Sequence, residues 1–190
     1  MKIGLYFGSF NPIHHGHLII AEHVLNNTDL QKIWFVVSPQ NPFKQNQSLL
    51  NEYHRLYLVK LAIDGENKMR AEDIEFKLPK PSYTSITLQY LEEKYPTHQF
   101  SIIMGSDSFQ NLDKWHNADV LMQKNEFIVY LRPGYEIRKD LPAKYTTLDA
   151  PLLQISSTQI RDLIKKRKSI RYLVPENVRE EIENNRYYKQ

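Results

Sequence analysis

Three of the chain's seven histidines stand within four positions, His14, His15 and His17, around Gly16. Clustered imidazoles suit two kinds of chemistry, because a ring nitrogen can ligate a metal or donate a hydrogen bond to an oxyanion. The surroundings favour the oxyanion. The preceding segment, Gly8-Ser9-Phe10-Asn11-Pro12-Ile13, closes an apolar run and leads into helical spacing. Gly8 permits a tight turn and close backbone approach, Pro12 stiffens the loop, and Gly16 with His17 opens a helix whose free N–H groups form an anion site. A cation is disfavoured at that positive helix end. The i, i+3 pair His14 and His17 has no third ligand nearby in sequence, and there is no H-E-x-x-H. Any one of these histidines, taken alone, would equally serve as a helix cap or core residue.

A second candidate lies near the other end, at Ile155-Ser156-Ser157-Thr158-Gln159-Ile160-Arg161. Ser156 and Ser157 are good N-cap residues for a helix running through Ile160, Leu163 and Ile164, and that alone would account for them. The same exposed N–H groups and hydroxyls could also receive phosphates, with Arg161 one turn in to form charge-assisted bonds. Between the ends, Asp107 follows an apolar run and could accept ribose hydroxyls or hold a magnesium-bound water, or simply cap a short helix after Gly105. Trp115 offers a flat face for stacking, although an isolated tryptophan more often packs in a core. The chain has neither a Gly-Lys-Ser/Thr P-loop nor a G-x-G-x-x-G after a strand, so two common phosphate-binding fingerprints are excluded.

The elements that must carry these residues alternate along the chain. Lys2 to Phe7, Ile33 to Ser38, Phe100 to Met104 and Phe127 to Leu131 read as buried strands. Helical spacing joins Leu18, Ala21, Val24 and Leu25, then Leu56, Val59 and Ile63, then Leu88, Leu91 and Tyr95. This order predicts an α/β fold, a Rossmann-like doubly wound parallel sheet with helices on both faces. Such sheets bind ligands beyond the carboxyl ends of their strands, where the loops above lie. One domain over 1–190 is expected, with a C-terminal helical part from about 156, and Pro39 to Asn51 is the one long irregular stretch.

A chain of 190 residues with 41% hydrophobic content can bury one sizeable core. Its net charge of +3 is mild and suits an anionic small substrate as well as a polymer. The absence of cysteine excludes disulfides and thiolate zinc sites. No run reaches the roughly 18 apolar residues of a membrane span, and the first apolar run is too short for a signal peptide, so a cytoplasmic location is expected.

Gly8-Ser9-Phe10-Asn11-Pro12, His14 and Gly16-His17 resemble the signature G-[ST]-F-[DN]-P-x-H-x-G-H of the H-x-G-H nucleotidyltransferase superfamily. The Ile155 to Arg161 segment matches its second motif, I-S-S-T-x-I-R. Ser38-Pro39-Gln40-Asn41-Pro42-Phe43-Lys44, Pro81-Ser82-Tyr83-Thr84, Gly105-Ser106-Asp107-Ser108-Phe109 and Trp115-His116 resemble its nicotinate-nucleotide adenylyltransferase branch in particular. The resemblance spans about Ile3 to Arg161. Departures are Phe7 where many members carry glycine, Asn11 for the commoner aspartate, and Phe43 for a frequent histidine.

The resemblance implies transfer of the adenylyl group of ATP to nicotinate mononucleotide, in the synthesis of NAD. It implies catalytic roles for His14, His17, Lys44 and Arg161. ATP would be bound by Gly8, Ser9, Phe10, His14, Gly16, His17, Gly105, Asp107, Ile155, Ser156, Ser157, Thr158 and Arg161. The acceptor would meet Asn11, Lys44, Arg55, Tyr83, Thr84, Ser108 and Trp115. Mg²⁺ would arrive with ATP, with no dedicated protein site expected; neither a nucleic acid nor a membrane is an expected partner, and a homo-oligomer is left open. Two rivals remain at this point. Pantetheine-phosphate adenylyltransferases share both terminal motifs but leave Ser82-Tyr83-Thr84 and Trp115 unexplained. A nucleic-acid-binding module could use Lys165-Lys166-Arg167-Lys168 and Arg171, which equally read as the solvated end of a helix.

Overall fold

Six strands run parallel in one sheet: β1 (Lys2–Gly8), β2 (Lys32–Val37), β3 (Met69–Glu72), β4 (Gln99–Gly105), β5 (Glu126–Tyr130) and β6 (Lys144–Leu148). Their spatial order is β3-β2-β1-β4-β5-β6, the doubly wound Rossmann-like arrangement, whose switch point lies between β1 and β4. This computed structural model describes residues 1–40, 49–151 and 153–189. Lys44, and with it most of the Pro39 to Asn51 stretch, lies outside the described residues. Gly8 pairs with Val37 and Gly105 with Tyr130, so the loops after β1, β2, β4 and β5 leave from one edge.

Each central strand is apolar on both sides because helices cover both faces. Tyr6, Ile33, Phe35, Val37, Ile103 and Ile128 point to one face, where they pack with buried residues of α1 (His15–Asn27), α2 (Glu52–Ala62), α6 (Ser157–Lys165) and α7 (Glu176–Asn184). Ile3, Leu5, Trp34, Val36, Ile102, Met104, Phe127 and Val129 point to the other, towards α3 (Thr84–Lys94), α4 (Ser106–Phe109) and α5 (Ala118–Lys124). The four expected strands are all present, and the expected helix faces carry buried Ala21, Val24, Leu56, Val59, Leu88 and Leu91. Periodicity did not reveal β3 and β6. Both are edge strands, Met-Arg-Ala-Glu and Lys-Tyr-Thr-Thr-Leu, whose exposed side needs no apolar residues.

Arg55, which the resemblance places at the acceptor, is fully buried behind the loops, with 0% of its surface exposed. Its Nε donates to the Leu50 carbonyl at 2.7 Å, Nη1 to the Ser9 and Ser38 carbonyls at 2.6 and 2.8 Å, and Nη2 to the Pro39 carbonyl at 3.1 Å. Burial alone would push its pKa down, yet the guanidinium stays ionised because carbonyl oxygens replace the water it gave up. One cation on α2 thus clamps the loop after β1, the loop after β2 and the entry to α2 itself.

Arg55→Met keeps most of the volume and removes every donor. It is expected to cost about 3–5 kcal/mol, the usual range when one side of a buried charged network is deleted. Arg55→Lys, a compact ammonium that cannot span four carbonyls, should recover only part of that. Urea unfolding midpoints measure both; a loss under about 1 kcal/mol for Arg55→Met would show that the loops hold without the clamp.

Candidate active site

The loop after β1 rises at the switch point and turns back through Phe10, which adopts a left-handed φ of 43°. That conformation is costly for an aromatic residue and is held by packing: Phe10 is buried, with its ring edge-on to Tyr6, Phe35 and His17. A β-carbon on Gly8 would stand 2.8 Å from the Phe10 ring, so only glycine lets the ring fold over the end of β1. His14 is the N-cap of α1, and its ring stacks on that of His17 with centroids 3.8 Å apart. The His14 backbone N–H donates to His17 Nδ1 at 3.3 Å. Since Nδ1 accepts, the proton of neutral His17 belongs on Nε2, which makes Nε2–H a donor.

His14 is 5% exposed, and burial, reinforced by the positive Arg132, lowers its pKa to about 4. At neutral pH it is an uncharged ring. His14 therefore offers hydrogen bonds rather than positive charge to its stacked partner.

The second motif meets this loop. Ser156 caps α6, its Oγ accepting from Gln159 N–H at 3.1 Å. Ser157 Oγ donates to the Pro12 carbonyl at 2.8 Å, and Arg161 Nη1 donates to the Asn11 carbonyl at 2.8 Å while Nη2 reaches Thr158 Oγ1 at 3.2 Å. The Ile155 carbonyl lies 3.9 Å from where a Gly16 β-carbon would be. These contacts set the N-terminus of α6 beside that of α1, so two positive helix ends open together, although the His15 N–H is already spent on the Leu173 carbonyl and the Gln159 N–H on Ser156 Oγ. Capping and loop-holding therefore occupy the hydroxyls of Ser156 and Ser157.

Beyond β4 and β5 the site acquires a polar wall that sequence reasoning saw only in part. Asp107, on α4, pairs with Arg132 at 3.1 Å, and Arg132 N–H donates to Ser106 Oγ at 2.9 Å. A β-carbon at Gly105 would come 2.4 Å from Asp107 Oδ1, so that position must be glycine for this pairing. Arg132 follows β5 directly and lies over the Tyr130 ring. Its signal was its place, since every strand end of a doubly wound sheet feeds the same crevice.

A cleft of about 840 Å³, part of it open to solvent, runs from Gly8 and Ser38 to Trp115. It is lined by Tyr83, Thr84, Ser108, Trp115 and Gly105 together with Glu75, Ser82, His116 and Tyr130. Tyr83 stacks on His116 with centroids 4.5 Å apart, and His116 Nδ1 lies 3.0 Å from Ser85 Oγ. Thr84 is the first residue of α3, so the start of a third helix faces this cleft. Asn11 does not line it: its side chain is buried and its Oδ1 accepts from Leu50 N–H at 3.2 Å. The stretch Lys165 to Lys168 is exposed at the C-terminal end of α6, where the helix dipole favours cations. Among the described residues no helix is long and apolar enough to cross a membrane.

The lowered pKa of His14 has a consequence for stability. Unfolded, the ring takes up a proton near its ordinary value of 6.5; folded, it resists until about 4. The folded state therefore loses stability as pH falls from 6.5 towards 4, by up to about 3 kcal/mol from this group. His14→Asn should flatten that part of the stability curve, measured by urea unfolding at neutral pH and near the lower limit. An unchanged slope in the variant would remove His14 as its source.

Residues 5–163 match the cytidylyltransferase-like family. The chain is 49% identical to a probable nicotinate-nucleotide adenylyltransferase of Flavobacterium johnsoniae, with all of both chains covered. It is 36% identical to the nicotinate-nucleotide adenylyltransferase of Bacillus subtilis, covering 99% of this chain and 98% of that one. The fold is similar to that of Plasmodium falciparum nicotinic acid mononucleotide adenylyltransferase complexed with NaAD, with a TM-score of 0.82 and 22% identity over 98% of this chain and 97% of that one. The chain with paired histidines at a Rossmann switch point and a C-terminal serine motif locked against them thus belongs to the cytidylyltransferase-like family and, within it, to the nicotinate-nucleotide adenylyltransferases.

Proposed function

We propose that this chain transfers the adenylyl group of ATP to nicotinate mononucleotide, yielding nicotinate adenine dinucleotide and pyrophosphate, in the synthesis of NAD. The observation that carries the reading is the meeting of two helix N-termini around a stacked histidine pair, with an aromatic cleft running from it. Phosphates belong at the first and a planar ring in the second.

The acceptor's phosphate attacks the α-phosphorus. One P–O bond forms as the bond to the β-phosphate oxygen breaks, and pyrophosphate leaves with the electron pair. The nucleophile is already an anion, so no general base is required and catalysis rests on alignment and charge stabilisation. His17 Nε2–H is assigned to an α-phosphate oxygen, where its bond strengthens as charge accumulates. His14 supports His17 by stacking and helps orient the triphosphate. The loop Gly8-Ser9-Phe10 and the start of α1 at Gly16 shape the phosphate site, and the backbone of Ile155 to Thr158 receives the outer phosphates. Arg161 offers them the donors not spent on Asn11 and Thr158, and Lys44 is assigned to the same anions from the loop after β2.

Asp107 and Gly105 are assigned to the nucleotide, and Tyr83, Thr84, Ser108 and Trp115 to the pyridine ring and its ribose. Mg²⁺ fits as an ion carried by ATP. Asp107 is paired with Arg132, and among the described residues no cluster of three His, Asp or Glu side chains could cage a metal. Mg²⁺ keeps waters and phosphate oxygens readily and would shield the charge of the triphosphate. A cytoplasmic location accords with ATP as substrate.

His17→Ala is expected to lower kcat by about a hundredfold or more, with the KM for ATP within several-fold, because the lost bond is mainly one of the transition state. A folded variant with near-normal kcat removes His17 from the mechanism. Trp115→Ala should weaken the acceptor by about tenfold through lost stacking. The acceptor itself is tested by mass analysis of products from ATP, magnesium and a panel of phosphate-bearing acceptors. Turnover of pantetheine phosphate in place of nicotinate mononucleotide would overturn the assignment.

A further inference from the structure

The crossover from β5 to β6, residues 131–143, holds no helix. It is bonded instead along α4 and the single-turn 3-10 helix Leu112–Lys114, the segment that brings Ser108 and Trp115 to the cleft. Ile137 and Leu141 pack into the core on the α4 face, so the backbone on either side of Arg138 is anchored. Arg138 Nη1 donates to the Gln110 carbonyl and to Asp113 Oδ2, each at 2.9 Å. Its Nε and Nη2 donate to the two carboxylate oxygens of Asp140 at 3.1 and 2.7 Å. Gln110 Nε2 returns a bond to the Glu136 carbonyl at 2.8 Å. No motif marks Arg138, and it lies outside the cleft lining.

What needs holding is the joint that this guanidinium spans. α4 is one turn of helix and the 3-10 helix is another, and single turns have no stability of their own. Phe109 and Leu112, both fully buried, tie the segment to the core, but apolar burial has no direction and leaves the tilt of a short turn unset. Hydrogen bonds set it. One nitrogen of Arg138 joins the carbonyl of Gln110, which ends α4, to the middle residue of the 3-10 helix. Trp115 ends that helix, its N–H donating to the Leu112 carbonyl at 3.1 Å, so any tilt of the turn moves the indole. An exposed ion pair is usually worth little, but here an acid on each side and a backbone carbonyl hold a planar fork in one orientation.

We propose that Arg138 is a positioning residue for the acceptor: it locks the turn that presents Trp115 and so sets the wall on which the acceptor's ring stacks. The inference rests on the adenylyl-transfer reading of the site, in which Trp115 meets the pyridine ring. Among the described residues the Arg138 side chain bonds to Gln110, Asp113 and Asp140, none of which belongs to the phosphate loop. Loss of the lock therefore falls on one substrate.

The test measures kcat and KM for nicotinate mononucleotide and for ATP, with magnesium. Arg138→Ala should raise the acceptor KM about fivefold while the KM for ATP stays within about twofold. Arg138→Lys, which keeps the charge without the fork, should recover only part of the loss. Because Arg138 acts through Trp115, the two losses should not add: in a Trp115→Ala background, Arg138→Ala should cost less than about twofold more. Acrylamide quenching of fluorescence reads the same residue, since of the chain's two tryptophans Trp34 is 3% exposed and Trp115 only half-buried. Quenching should rise in Arg138→Ala. Thermal melts establish that each variant is folded, and Asp113→Ala carries the same comparison should Arg138→Ala unfold. An acceptor KM unmoved by Arg138→Ala, or a full further loss on top of Trp115→Ala, overturns this inference alone. Failure of the unaltered protein to adenylate nicotinate mononucleotide overturns the functional reading and this inference with it.

Discussion

A buried guanidinium held by backbone carbonyls is the constraint on which this site depends. Arg55 cannot lose its charge, and within the protein four carbonyls from three segments must replace its water. Those carbonyls belong to loops that otherwise have little reason to stay together, because loops leaving a sheet edge are free to spread into solvent. The helix that carries Arg55 is fixed by its own apolar face, Leu56 and Val59 in the core. Hydrophobic burial of α2 thus becomes, through one side chain, the register of the two loops that border the cleft.

The same logic operates between the ends of the chain. Ser157 and Pro12 are 145 residues apart in sequence and meet at 2.8 Å, with the Arg161 to Asn11 bond beside them. Ile160 and Ile164 anchor α6 in the core, and the serine and arginine on its first turns then hold the histidine loop. Two helix N-termini brought together concentrate positive potential at this end of the sheet. The stacked histidine pair, with His14 uncharged at neutral pH, completes the arrangement.

On the acceptor side, α3 has a similar double role. Leu88 and Leu91 bury it against the sheet, which brings Thr84 and Tyr83 to the cleft and Thr87 to Glu75. The cleft is therefore lined on one side by aromatic faces and on the other by hydroxyls around a buried acid.

The sequence by itself determined the parallel α/β sheet, the phosphate loop after its first strand and the catalytic family, because each depends on local patterns. Apolar runs at strand length, helical spacing between them, and Gly8-Ser9-Phe10-Asn11-Pro12 with His14 and His17 all read from neighbouring residues. It did not reveal β3 or β6, whose edge positions require no apolar run. Tertiary structure alone decided which side chains line the cleft and which hold the frame. Arg55 and Asn11 turn inward to backbone, Ser157 and Arg161 reach back to the first loop, and Glu75, Arg132 and Tyr130 arrive from strands with no recognisable motif. The reason is physical: the direction of a polar side chain is set by the partners that burial leaves it, and those partners come from segments far apart in the chain.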